Sequence, residues 1–269
     1  MSKIIVLFLF LISSIVYAVP IIPVQNNITA KSFLVVDDHG QELLAKNADK
    51  VQPIASITKL MTALVVLDSH QNLDEDLTLD FKLTGRYHTK LPRTLKTLTR
   101  RELIDLAIVK SDNFAAYTLC QHHWGGVSRC VADMNHMAVE LKMTNTRFAD
   151  PTGLDPANVS NARDLVKLVL AASEHTEITE ASGKPKVSIQ VKRRWWDFGN
   201  TNPLVRRGDN IKVSKTGYIG ASGGCIVMLL DTEVGERIVV LLNSKNTRTR
   251  IPEAAKIAVT VSHSDVTID

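Results

Sequence analysis

A chain of 269 residues, 45% hydrophobic and 22% charged, is long enough to bury a substantial core and has the balance of an ordinary globular protein. That balance excludes a wholly disordered chain and a multi-span membrane protein. The formal charge of +4 is too small to point to nucleic acid as a partner.

The first eighteen residues read as a secretory signal: Lys3 is a short positive start, Ile4 to Val16 is an apolar run, and Val16-Tyr17-Ala18 suits cleavage after Ala18. The apolar run falls short of the ~20 residues a spanning helix needs. A periplasmic protein with no stable membrane anchor after cleavage is therefore expected. In such an oxidising compartment three cysteines can close at most one internal pair. Cys120 with Cys130, flanking a Gly125-Gly126 turn, is the favoured one, although the sequence does not establish that it forms.

Residues 19–30 carry Pro20, Pro23, Asn26 and Asn27 and read as a flexible lead-in to a domain over 31–262, with a polar tail at 263–269. Ser32 to Asp37 and Glu42 to Ala45 predict a hairpin around Asp38-His39-Gly40. Ile57 to Leu67 is apolar on nearly every side, as in a helix buried all round, which makes its single charge, Lys59, conspicuous. Thr99 with Glu102 forms a capping box that opens a helix through Val109, and Phe114 to His122 continues after a polar break at Ser111-Asp112-Asn113. Further helices are expected over Val127 to Met143 and from about Asn161 to Ser173, separated by the loop Asp150-Pro151-Thr152-Gly153. After residue 185, short β-type runs cover Lys186 to Lys192, Ile211 to Ser214, Cys225 to Leu230 and Arg237 to Leu242, with a turn at Glu233 to Gly235; a helix over Pro252 to Val259 closes the chain. This order predicts an α+β fold. One antiparallel sheet is built from both chain ends and flanked by helices, with a helical lobe, about 57–175, inserted between its parts and the active site at their interface.

Three motifs stand in order: Ser56-Ile57-Thr58-Lys59 opening the buried helix, Ser111-Asp112-Asn113 between two helices, and Lys215-Thr216-Gly217 ending a strand. Each is weak alone; their force lies in order and context. Residues i and i+3 share a helix face, so the Lys59 amine can reach the Ser56 hydroxyl. A serine alcohol needs such a base to attack a carbonyl. Lysine serves only when neutral, a state that burial and a nearby cation such as Lys215 favour. At a helix start the Ser56 backbone N–H has no intrahelical partner and can face a developing oxyanion. The bland alternative makes Ser56 a helix cap and Lys59 a snorkelling surface lysine.

Two other patterns compete. Gly220-Ala221-Ser222-Gly223-Gly224 fits a G-x-S-x-G nucleophile elbow, with Asp231 and His263 following in order, but the β-type run at Cys225 opposes the strand-turn-helix that an elbow requires. Eight histidines invite a metal site, yet none has H-E-x-x-H spacing, so no metal and no cofactor are expected. Lys192-Arg193-Arg194-Trp195-Trp196 could bind glycan strands or an anionic polymer by stacking and charge; the favoured reading is a sheet edge with its Trp rings packed inward.

The chain resembles the low-molecular-mass penicillin-binding proteins of the D-alanyl-D-alanine carboxypeptidase family, and its endopeptidase branch most closely. The resemblance runs from about Lys31 to Ile257. It rests on Ala55 to Ala63, Asp150-Pro151-Thr152-Gly153-Leu154, Ala162-Arg163-Asp164-Leu165, Asn200-Thr201-Asn202 and Lys215-Thr216-Gly217-Tyr218. It implies a β-lactamase/transpeptidase-like fold and a serine D,D-peptidase acting on peptidoglycan stems and cross-links, acylated on Ser56 with Lys59 as base and inhibited by β-lactams. It further implies that Ser111 relays protons to the leaving amine, Asn113 holds the substrate amide, and Lys215 and Thr216 bind its carboxylate beside Gly217. The backbone N–H groups of Ser56 and Tyr218 would form the oxyanion hole.

Two departures bear on the branch. The family's carboxypeptidases usually carry a further β-rich domain and an amphipathic anchor, which the present chain lacks, so a soluble cross-link endopeptidase is expected. Asp112 resembles β-lactamase usage and keeps open a class A-like β-lactamase, which would need a glutamate where this loop offers Asp150 and Asp155. A penicillin-binding sensor without turnover is a third reading.

Overall fold

The computed structural model describes residues 28–208 and 210–262. The expected signal segment, most of the lead-in, the polar tail and His263 lie outside the described residues. In chain order the elements are β1 (Ser32–Asp37), β2 (Glu42–Lys46), β3 (Gln52–Pro53), α1 (Thr58–Asp68), β4 (Asp76–Thr78), β5 (Thr97–Thr99), α2 (Arg100–Asp105), α3 (Asn113–Gln121) and α4 (Gly126–Glu140). They continue with β6 (Val159–Ser160), α5 (Ala162–Ser173), α6 (Thr176–Gly183), β7 (Lys186–Val191), β8 (Arg194–Gly199), α7 (Pro203–Arg207), β9 (Ile211–Ile219), β10 (Gly223–Thr232), β11 (Gly235–Ser244) and α8 (Thr247–Val261).

Five strands form one antiparallel sheet in the order β2-β1-β11-β10-β9. The chain's two ends thus meet in its middle, where Ser32 pairs with Leu242 and Asp37 with Arg237. Alternation along the strands splits their side chains between two cores. Leu34, Val36, Val227, Ile238, Val240 and Leu242 face the helical lobe, while Phe33, Val35, Ile226, Met228, Val239 and Leu241 face α7 and α8 through Leu204, Ala254 and Ile257. Helices cover both faces of β10, which explains why its run from Gly224 to Leu230 is buried without a break.

The lobe that follows β3 is built around α1, buried at every position from Thr58 to Val66 as its unbroken apolar pattern requires. The Thr99/Glu102 capping box is present. The helix it opens widens at Leu106–Lys110 into a π turn, which Ser111 ends in a left-handed conformation at φ 58°. Such a turn frees the next residues to begin a new helix in a new direction. Cys120 of α3 and Cys130 of α4 form a buried disulfide.

Several elements escape the sequence pattern: the two- and three-residue strands β3, β4, β5 and β6, the five-residue α7, α6, whose short run Thr176–Gly183 has little periodicity, and β8, which completes a two-stranded hairpin with β7. The hairpin also corrects the expectation for Lys192 to Trp196. Lys192 and Arg193 form its tip, and the indoles are not packed inward: Trp195 is 65% exposed and Trp196 41%. A hairpin standing partly off the body cannot bury both faces.

Candidate active site

Ser56 lies in a single 3-10 turn, Ala55–Ile57, that leads into α1. The backbone before it is fixed by the pairing of β3 with β6 and by Ile54 N donating to Asn158 O at 3.1 Å. Ala55 takes φ 48°, an uncommon conformation for a residue with a Cβ. Two glycines hold the turn from opposite sides of the chain. A Cβ at Gly153, where φ is 80°, would sit 2.0 Å from Ala55 O, and one at Gly217 would sit 2.9 Å from Ile54 O and 3.0 Å from Ser56 N. Loop 150–158 and strand β9 can close on Ser56 because neither position carries a side chain.

The cap reading of Ser56 fails. The N-cap of α1 is Ile57 and no side chain caps it; the Ser56 hydroxyl instead lies 2.9 Å from Lys59 Nζ and 3.5 Å from Thr152 O. Lys59 is fully buried, so it does not snorkel. Its Nζ lies 2.9 Å from Ser56 Oγ, 2.7 Å from Asn113 Oδ1 and 2.5 Å from Thr152 O. Two of these partners are carbonyl oxygens that can only accept. In the neutral amine they take its two N–H bonds, which leaves the lone pair for the Ser56 hydroxyl proton.

Burial lowers the Lys59 pKa to about 7, against the opposing pull of the Asp112 and Asp150 carboxylates. The expected assistance from Lys215 takes a different form: repulsion between the two amines is expressed on Lys215, which burial, Lys59 and Arg250 together hold well below the ordinary lysine range. At neutral pH a substantial share of Lys59 is the free base that proton transfer requires.

Thr152 O reaches Lys59 because Asp150 shapes its loop. Asp150 Oδ1 accepts from the backbone N–H of Thr152 and Gly153 at 2.6 Å each, and Oδ2 from Asp155 N at 2.8 Å. Oδ1 of the buried Asn158 side chain accepts from Ala149 N and Asp150 N. Asp155 in turn accepts from Ala157 N. Both aspartates that could have replaced a deacylating glutamate are therefore committed to backbone N–H groups.

Asp112 caps α3 by accepting from Ala115 N at 3.0 Å and takes a second bond from Thr89 Oγ1 at 2.7 Å; burial raises its pKa. That cap sets Asn113, the first residue of α3, against Lys59. Ser111, on the left-handed residue before the cap, forms no hydrogen bond to Ser56 or Lys59 in this structure.

Strand β9, the sheet's edge, supplies the opposite wall. Lys215 and Thr216 are buried on it, Lys215 Nζ donating to Thr216 O at 3.0 Å and Thr216 Oγ1 donating to Thr201 Oγ1 at 2.7 Å. The Lys-Thr-Gly run lies inside the strand, which continues to Ile219, and Tyr218 is half-exposed beyond it. Arg250 of α8 donates to Gly217 O and fixes the strand from behind. Nothing in the motifs points to Arg250 or to the structural work of Asp150 and Asn158. A buried arginine four residues into a capped helix looks like any solvated one, and loop aspartates like ordinary turn formers. The elbow candidate fails: Ser222 is buried in the β9–β10 turn, with its hydroxyl bonded to Ile219 and Gly223. No cluster of three metal-binding side chains occurs among the described residues.

A base hydrogen-bonded to an alcohol, in a cleft walled by a helical lobe and a sheet edge, is suited to acyl transfer. A profile of the family described as D-alanyl-D-alanine carboxypeptidase matches residues 20–246. The D-alanyl-D-alanine endopeptidase of Pseudomonas aeruginosa is 36% identical over 242 residues, 88% of this chain and 78% of that one. The protein of the same name from Escherichia coli is 39% identical over 210 residues, 76% and 68% of the two chains. Penicillin-binding protein D2 of Listeria monocytogenes, solved in its ampicillin-bound form, is similar in structure with a TM-score of 0.76 at 28% identity, over 88% of this chain and 98% of that one.

Proposed function

The chain belongs to the D-alanyl-D-alanine carboxypeptidase family, and from that premise we propose that it is a serine D,D-peptidase that cuts D-alanyl peptide bonds in peptidoglycan cross-links, with Ser56 and Lys59 as its reacting pair. The observation that carries the reading is the 2.9 Å contact between Ser56 Oγ and a Lys59 amine whose other two partners can only accept.

In the first step the Ser56 oxygen bonds to the carbonyl carbon as its proton passes to Lys59 Nζ. The oxyanion forms against the backbone N–H groups of Ser56 and Tyr218. Collapse breaks the C–N bond, and the proton held by Lys59 reaches the leaving amine through Ser111, whose hydroxyl engages once substrate fills the cleft. Asn113 Oδ1 is occupied by Lys59, so its amide N–H groups are the ones that meet a substrate carbonyl. Lys215 and Thr216 receive the carboxylate beside the scissile bond; an anion there restores the charge that burial and Lys59 disfavour on Lys215. Water then cleaves the ester and returns the proton to Ser56.

A β-lactam acylates the same serine, as the ampicillin-bound relative supports. The engaged state of Asp150 and Asp155 argues against fast hydrolysis of that adduct, and hence against a β-lactamase. No helix among the described residues is long and apolar enough to cross a membrane. With the signal pattern at residues 1–18, that supports a periplasmic enzyme acting on the wall.

The test is labelling of the mature protein with fluorescent penicillin, with peptide mapping of the adduct and a Ser56→Ala control, beside cleavage of a purified cross-linked muropeptide dimer. Label on the Ser56 peptide, none in the variant, and conversion of dimer to monomers are expected. Label elsewhere removes the residue assignment, and label without dimer cleavage leaves a sensor.

A further inference from the structure

A basic, aromatic groove lies outside the cleft and takes no part in the chemistry above. One wall is the β7–β8 hairpin, with Lys192, Arg193 and Arg194 exposed at and beside its tip. The other is Pro92 and Thr94, on a segment that also exposes Lys90, Arg93 and Lys96. The groove between them encloses about 490 Å³. None of these six cations is in an ion pair among the described residues, whereas Lys186 at the hairpin's far end pairs with Asp197. Trp196 pairs across the hairpin with the buried Ile189 and borders the groove; Trp195 stands on the opposite face.

Both walls are tied to the active site. Thr89, three residues before Pro92, donates to Asp112 Oδ2 at 2.7 Å. Thr201, which follows the hairpin, donates its N–H to Val109 O at 3.0 Å and accepts from Thr216 Oγ1 at 2.7 Å. Strand β8 spans six residues between tip and site, about 20 Å of extended chain. A polymer reacting at Ser56 would have its next repeats within reach of the groove.

We propose that this groove binds a neighbouring stretch of the same cell-wall strand, with hairpin cations on its peptide carboxylates and the Trp196 indole on a sugar face, so that the enzyme grips polymer in preference to fragments. The inference rests on the peptidoglycan reading above. Arginine forks match carboxylates, and an exposed ring beside them offers an apolar face to a pyranose. A lipid surface fits less well: membrane insertion needs apolar residues foremost at the tip, where Lys192 and Arg193 stand, and the indole of Trp196 borders a recess.

The test is co-sedimentation of the mature protein with purified peptidoglycan sacculi, with anionic phospholipid vesicles in parallel, for the wild type, Trp196→Ala and Arg193→Glu/Arg194→Glu. Penicillin labelling of each variant reports an intact cleft. Each variant is expected to weaken sacculus binding roughly tenfold, which corresponds to about 1.4 kcal/mol, at an unchanged labelling rate. If Trp196→Ala labels poorly, the charge reversal on exposed side chains decides alone. Unchanged sacculus binding in the correctly labelling variants overturns the proposal, as does a loss seen with vesicles and not with sacculi. Wild-type protein that binds sacculi through these residues but cleaves no cross-linked dimer keeps the groove and sinks the peptidase reading.

Discussion

The pH dependence of acylation follows from the environment of Lys59. Burial lowers its pKa to about 7, and only the free amine can accept the Ser56 proton. The sign is fixed: a base that must be deprotonated gives a rate that rises with pH and levels off above its pKa. With a pKa of about 7, the free-amine fraction grows from roughly 9% at pH 6 to roughly 91% at pH 8, so the rate should rise about tenfold. Asp112→Asn sharpens the test. Asparagine caps as well as aspartate, so the bond from Ala115 N and the start of α3 survive. One of the two carboxylates that favour the ammonium form is then gone, so the profile should move to lower pH and the rate at pH 6 should increase. The assay is the second-order rate constant for fluorescent penicillin, read from quenched time courses between pH 5.5 and 9. A flat profile, a rate that falls with rising pH, or a variant profile displaced to higher pH would refute Lys59 as the base.

Gly153→Ala must push a methyl group into Ala55 O at a backbone angle that alanine avoids; acylation should drop by at least about a hundredfold, and a rate within a factor of three of wild type would show that the loop relaxes freely. Arg250→Met removes a charged donor from the buried Gly217 O, a loss of about 1–3 kcal/mol, which a lowered denaturation midpoint and slower acylation should register together. Cys120→Ser/Cys130→Ser opens a loop of sequence separation 10 between α3 and α4, bonded to neither Ser56 nor Lys59, and should cost about 2–3 kcal/mol in urea melts with the acylation rate retained.

The contact between Ser56 and Lys59 was legible because its geometry is local: a spacing of three residues at the start of a helix brings Lys59 to Ser56, and an all-apolar helix makes a lone lysine stand out. Strands of the main sheet were legible for a similar reason, their alternation or continuous burial leaving a trace in short windows. What could not be read is what converges from far away. Thr152 reaches Lys59 across 93 positions by way of a backbone carbonyl, a group that every residue has. Arg250 reaches Gly217 across 33 positions with the side chain of an apparent surface cation. The hairpin tip was misjudged because tryptophan is usually sheltered, and a composition argument does not reveal that this two-stranded ribbon buries Val187, Ile189 and Phe198 on one face while its tip and the Trp195 face lie open.

The meeting of β1 with β11 at the centre of the sheet has a consequence for the order of assembly. Ser32 finds Leu242 only after some two hundred intervening residues exist, so these contacts are among the slowest to form, while the helices between them depend on nearer partners. Ser56 and Asn113 belong to the early part and Lys215 to the late one. On the proposed mechanism a newly made or partly threaded chain is therefore inert, and activity awaits the pairing of its closing strands.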